Sequence, residues 1–130
     1  AATALPTINT TVRNAVTASG IAGVKVIDLT DALKGRRLCD NTVGLLEEKG
    51  LTSWTQAGAV DKTEWVEQIR TVSTVTGPYF VQESLHPSYW GELALRSCLR
   101  QAYNGGTPRG GVCTIAGTGL VNGEPRMTLS

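Results

Sequence analysis

The order of elements along this chain predicts an α/β fold. Three observations carry that expectation. Leu5, Ile8, Val12, Ala15 and Val16 recur at helical spacing. A mostly β-branched apolar run, Val24 to Leu29, follows after a short break. A second periodic stretch through Leu93, Ala94, Cys98 and Ala102 lies near the far end. Helix followed by apolar strand is the αβ order of proteins built on parallel strands, so Val24 to Leu29 reads as a buried parallel strand.

The elements follow in order. Gly20 is suited to end the first helix, since glycine tolerates the left-handed conformation at a helix C-terminus. Asp61 with Glu64 three residues later has the form of a helix start, and Trp65, Ile69 and Val72 continue it at helical spacing, which predicts about three turns. Gly77-Pro78 breaks the chain before a short extended piece, Tyr79-Phe80-Val81. Pro87, with its fixed φ, suits the first position of the next helix, which runs to Asn104-Gly105. Asn122-Gly123, between Leu120-Val121 and Met127-Thr128-Leu129, has the form of a hairpin turn. The chain divides accordingly into residues 1–106 and a Gly/Thr-rich tail, 107–130, holding a small β-hairpin.

At 130 residues and 41% hydrophobic, the chain has the size and composition of one globular domain. Twelve basic residues against 11 acidic, with Arg36-Arg37 the one adjacent basic pair, produce no field that would recruit nucleic acid. Charged residues interrupt every apolar segment well short of the roughly 18 to 20 residues of a membrane span. With neither an initiator Met nor a basic segment leading into an apolar one, the expectation is that a further segment precedes Ala1.

Cys39, Cys98 and Cys113 make an odd number, and none stands in a Cys-x-x-Cys pair, so no metal or other cofactor is expected. The glycine-rich stretch between Cys98 and Cys113 is able to fold back and bring their sulfurs together, which favours an oxidising, secreted setting. Three buried free thiols are the plain alternative, and a bond from Cys39 to either of the others also stays open.

His86 is the one histidine, and therefore the one side chain whose ordinary pKa lies near neutrality. A lone histidine ahead of a helix is commonly a hydrogen-bonded cap. The residues around it point elsewhere. The run Glu83-Ser84-Leu85-His86-Pro87-Ser88-Tyr89-Trp90-Gly91 resembles the last conserved block of the SGNH (GDSL) hydrolases, with an acid three residues before the histidine and Pro87, Ser88 and Gly91 at matching offsets. Ile8 to Arg13, Val24 to Leu29, Ala32 to Gly35 and Leu38-Cys39 are similar to the helix, strand and short helix that precede that block in the family. The similarity covers most of residues 5–106.

The resemblance implies the C-terminal half of a three-layer α/β/α fold with parallel strands, and an acyl-transfer mechanism. A serine attacks the ester carbonyl, the histidine takes the serine proton and returns it to the leaving alcohol, and an acid group orients the imidazole. His86 then takes the role of general base. Two groups compete to orient it: the Glu83 side chain, one methylene longer than the family's usual Asp, and the Ser84 backbone carbonyl. The family's nucleophile and oxyanion-hole blocks are not found here, and Thr10, Ser19, Ser53 and Ser73 have no nucleophile context.

The resemblance thus implies a partner: an N-terminal chain of the same precursor that carries the Ser, with Cys39, left over from a Cys98–Cys113 pair and lying where the family usually has a disulfide, as the interchain link. The implied substrate is a carboxylic ester of a lipid, as in secreted lipases and phospholipases A, with a carbohydrate ester as the enzymatic alternative. A non-catalytic domain using Trp54, Trp65 and Trp90 for recognition, or a truncated chain, are the readings from other classes.

Overall fold

The computed structural model describes residues 3–68, 71–74, 77–80 and 84–130, with the backbone alone at 71–74 and 77–80. It is a mixed helix and strand structure, α/β in the general sense. Helix α1, Ala4–Ser19, forms where the periodicity places it, and Gly20 ends it at φ 63° by donating its N–H to the Thr17 carbonyl. None of its residues is buried, and Leu5, Ile8 and Val12 are each about half exposed. Polar bonds tether α1: Arg13 to Asp28 at 2.6 Å, and the Asn9 amide to the Thr30 hydroxyl. The Asp28 carboxyl is held below its ordinary value, first by the Thr30 hydroxyl and N–H, then by Arg13.

Strand β1 is shorter than its apolar run. Just Ile27–Asp28 pair, parallel to Gly111–Val112, while Val24 and Leu29 are exposed. The strand is half-buried rather than buried, because among the described residues its one strand partner is on one edge. Residues 29–40 follow as successive turns closed by three-residue bonds, with Gly35 at φ 85°, in place of a short helix at 32–35. A single 3₁₀ turn, Glu47–Lys49, follows.

The three-turn helix expected from Asp61 does not form. Helix α2 is one turn, Ala59–Lys62, and the chain leaves it extended at Thr63, φ −103° and ψ 155°. Long-range pairing overrides the helical spacing. Gly44 bridges Thr63 on one edge of the extended segment and Pro87 bridges Val66 on the other. Trp65 is about 1% exposed, its indole N–H donating to the Val60 carbonyl at 2.9 Å. Asp61 is no N-cap: its carboxylate accepts the Gly119 N–H at 3.1 and 2.9 Å and pairs with Arg36 at 3.4 Å. Ile69 lies outside the described residues, and Val72 falls in β2, Thr71–Thr74, which pairs antiparallel with β3, Gly77–Phe80. Val81 also lies outside them.

Helix α3, Tyr89–Tyr103, starts two residues later than Pro87, because Pro87 belongs to the bridge with Val66 and Ser88 is still extended. Asn104 ends it in the left-handed conformation, followed by a 3₁₀ turn, Asn104–Gly106. Strands β4, Gly111–Val121, and β5, Glu124–Leu129, form an antiparallel hairpin around Asn122-Gly123, both at positive φ. The sheet order is β1-β4-β5, with one parallel and one antiparallel pair.

The inner face of this hairpin belongs to the core. Ala94, Cys98 and Ala102, one stripe of α3, pack with Trp90, Trp65, Cys113, Met127 and Leu129. The Cys98–Cys113 disulfide ties α3 to β4 with Cα atoms 5.9 Å apart, and closing a loop of 15 residues contributes about 3 kcal/mol. The Gln101 amide donates to the Met127 carbonyl and accepts the Leu129 N–H, each at 3.0 Å, so a helix side chain satisfies the backbone of β5.

Buried Glu124 receives Arg96 at 2.7 Å and Arg100 on its other oxygen. The Arg100 hydrogen bond, and then Arg96, hold the Glu124 carboxyl below the glutamate range, against burial, which raises it. A depressed folded value means that the stabilisation is fully present above the unfolded value, about 4.3, and is lost as pH falls through the folded value. Both arginines are more than half exposed, so solvent screens the pair and Glu124→Gln is expected to cost about 1 to 2 kcal/mol at neutral pH. Urea midpoints at neutral and strongly acidic pH check this, with the difference between the proteins shrinking in acid.

Candidate functional site

The site is built on the extended segment from Thr63 to Gln68. Thr63 and Val66 are β-branched, and the segment is bridged on both sides, by Gly44 and by Pro87, with a bend at Trp65 between the two bridges. On the first edge, Gly44 N–H donates to the Lys62 carbonyl, Glu64 N–H to the Gly44 carbonyl, and Trp65 N–H to the Arg36 carbonyl at 2.7 Å. On the second edge lies the His86 turn. Leu85 N–H donates to the Glu67 carbonyl at 3.0 Å, and Glu67 N–H donates back to the His86 carbonyl at 2.8 Å. Ser88 N–H donates to the Trp65 carbonyl at 2.9 Å, and the Ser88 hydroxyl to the Glu64 carbonyl at 3.0 Å.

His86 is exposed, and the chain on both sides of it is clamped. Leu85 sits at φ 66°, a conformation that costs a bulky residue of order 1 kcal/mol or more and persists where surrounding bonds over-determine it. The four hydrogen bonds to residues 64–67 do so here. Ser88 is the N-cap of α3 but spends its hydroxyl on Glu64 rather than on the helix, so the helix start is locked to the extended segment.

Gly91 completes the clamp. A Cβ at this position would lie 2.1 Å from the Trp65 carbonyl oxygen and 3.1 Å from Pro87 Cβ. The first turn of α3 therefore rests directly on the backbone of Trp65, an approach that glycine alone allows. The spacing from His86 to Pro87, Ser88 and Gly91 has a physical basis in this chain: one residue pairs with Val66, one bonds Glu64, one leaves room for Trp65.

Of the residues singled out in the sequence, His86 and Ser84 lie together in this turn, with Ser84 half-buried, and Glu83 lies outside the described residues. Cys98 and Cys113 are bonded to each other, and Cys39 is an exposed free thiol. Cys39 N–H donates to Glu64 Oε1 at 3.2 Å, so the Cys39 loop and the His86 turn lean on the same residue. Trp65 and Trp90 are core residues, each less than 5% exposed, which removes two of the three tryptophans from surface recognition.

Sequence reasoning missed a cleft of about 170 Å³ beside this segment, lined by Gly44, Leu45, Trp54, Glu64, Val66 and Gln68 among others. Glu64, Val66, Glu67 and Gln68 all line it, on either side of the bend at Trp65. No period in the sequence marks this lining, since Val66, Glu67 and Gln68 contribute to it in succession. Among the described residues no three His, Cys, Asp or Glu side chains converge to hold a metal, and no helix is long and apolar enough to cross a membrane.

The chain matches no family model, and no curated protein or solved structure shows significant similarity to it.

Gly91→Ala is expected to destabilise the protein by about 3 kcal/mol or more, because its obstacle is a backbone carbonyl and not a side chain able to turn away. Chemical denaturation measures the loss, and hydrogen exchange at Leu85 and Glu67 N–H reports whether the His86 turn loosens with it.

Proposed function

We propose that this chain is the histidine-bearing half of a secreted carboxylic-ester hydrolase of the SGNH type, acting on lipid esters, with its nucleophilic Ser on a separate N-terminal chain of the same precursor. The observation that carries the reading is the clamped His86 turn. An exposed imidazole between a left-handed Leu85 and a Pro87 paired to Val66 has the rigid backbone a general base needs while its ring stays accessible. In that role His86 takes the proton of the partner's Ser as the ester carbonyl is attacked and returns it to the leaving alcohol. The Glu83 carboxylate or the Ser84 carbonyl orients the imidazole and stabilises its charged form.

The partner is supported by what this chain leaves uncovered. Leu5, Ile8 and Val12 on α1, and Val24 and Leu29 beside β1, are exposed apolar side chains around a strand with one strand partner among the described residues. A further parallel strand and its helix would cover them, extending the sheet toward a three-layer α/β/α arrangement, at about 25 cal/mol for each square ångström buried. The Cys98–Cys113 disulfide supports an oxidising compartment.

His86→Ala in the reassembled two-chain enzyme is expected to lower hydrolysis of a p-nitrophenyl ester by about a thousandfold or more, with an unchanged urea midpoint, because the ring is exposed. Full activity in a folded His86→Ala protein would end the assignment. Glu83→Gln decides the orienting group: a loss beyond about a hundredfold assigns it to the side chain, a mild loss to the Ser84 carbonyl.

A non-reducing gel with peptide mapping tests the link, which is expected to join Cys39, here an exposed thiol, to the Ser-bearing chain. A single species at the mass of this chain with Cys39 free removes it.

A further inference from the structure

Glu64 is an unusual residue for the wall of a cleft. It is about 8% exposed, and while Oε1 accepts the Cys39 N–H, its other oxygen, Oε2, is buried with no hydrogen-bond partner. A buried carboxylate oxygen with no partner carries a desolvation cost that an apposed cation offsets by charge, whether or not it has an N–H to donate. Glu64 lines the cleft together with Val66, Glu67 and Gln68 of the same segment. Trp54, half-buried and packed against the core, forms another wall, and exposed Glu47 and half-buried Glu67 add a second and a third carboxylate to the lining.

The local cation does not satisfy this oxygen. Lys49 lies over Gly44, with Cε 2.9 Å from where a Gly44 Cβ would be and Glu48 Oε2 at 2.7 Å from the same point, yet Glu64 Oε2 stays unpaired. Among the described residues no three acids converge as ligands of a metal ion would. An aromatic wall with a buried carboxylate, in a cleft of about 170 Å³, has instead the elements that recognise an organic ammonium group: a ring face that attracts the cation and an anion that balances it.

We propose that this cleft seats the ammonium of a lipid headgroup, a choline or similar group, between the Trp54 ring and the Glu64 carboxylate. The extended segment that forms the cleft wall also bonds the His86 carbonyl through Glu67 N–H, so a headgroup held here brings its ester to the His86 side of the same strand. The choice of a lipid as the source of the ammonium rests on the ester-hydrolase reading. The binding itself does not.

The test uses this chain as it is, with choline chloride as probe and its uncharged isostere 3,3-dimethyl-1-butanol as control, followed by calorimetry and by the NMR signal of the Trp54 indole N–H. Saturable choline binding that shifts Trp54 is expected, weakened at least about tenfold by Glu64→Gln and by Trp54→Leu, with the isostere bound about tenfold more weakly than choline. Should Glu64→Gln fail to fold by circular dichroism, Trp54→Leu carries the comparison. Equal binding of choline and the isostere, undiminished binding in the folded variants, or no saturation with choline overturns the proposal.

Phosphatidylcholine vesicles are expected to retain the protein and to release it on addition of tetramethylammonium, whereas phosphatidylglycerol vesicles are not. Choline binding without vesicle retention overturns the lipid as source. No readout here is hydrolysis, so a failure leaves the His86 assignment standing, and an inactive reassembled enzyme leaves the cleft standing.

Discussion

Trp65 gives its N–H to Arg36 and its carbonyl to Ser88, and buries its indole against the core with the ring nitrogen bonded to Val60. One residue thus joins the turns after β1, the one-turn helix α2 and the start of α3. Backbone groups buried this deeply need partners, and here they find them on separate parts of the chain rather than within one element. The position of His86 follows from that constraint. Its turn is held mainly by backbone bonds to the extended segment, with the Ser88 hydroxyl adding one more, and the segment is itself bridged on both sides.

Charge plays the complementary part where apolar cover is thin. Asp61 joins α2 to β4 through Gly119, Glu124 joins β5 to α3 through two arginines, and Asp28 joins β1 to α1 through Arg13. Each carboxylate spans two elements distant in sequence. Each is also partly or wholly shielded from water, where such bonds weigh more than at an open surface. Helix α1 is the extreme case, since polar bonds tether it and Leu5, Ile8 and Val12 of its apolar stripe are exposed.

Much of this was legible in the residues. Helix α1 and its glycine stop, helix α3, and the Asn122-Gly123 hairpin follow from spacing and turn chemistry, because each is settled by neighbours a few positions away. Residues 61–72 were not legible that way. Trp65, Ile69 and Val72 fit a helical stripe, but the partners that decide the matter, Arg36, Gly44 and Ser88, are more than 20 residues from Trp65 or on loops with no period of their own. The His86 motif was visible as a resemblance, while the reason for its spacing, the contact of Gly91 with the Trp65 carbonyl, needed coordinates. The cleft and its unpaired Glu64 oxygen could not be read, since the Cys39 N–H that takes the other Glu64 oxygen lies 25 positions away in sequence.

The disulfide between Cys98 and Cys113 has a consequence for how the molecule comes apart. Helix α3, β4 and β5 are contiguous in sequence, share the core stripe, and are stapled at their centre, so they form a cooperative unit of high local stability. Strand β1 joins that unit by two residue pairs reaching across more than 80 positions of chain, and α1 joins β1 by side chains alone. Opening therefore proceeds from the front of the chain, with α1 lifting first and the parallel pair next. The stapled unit keeps its amide protons longest, so the surface proposed to receive a partner is also the surface that the isolated chain can most cheaply reshape to fit one.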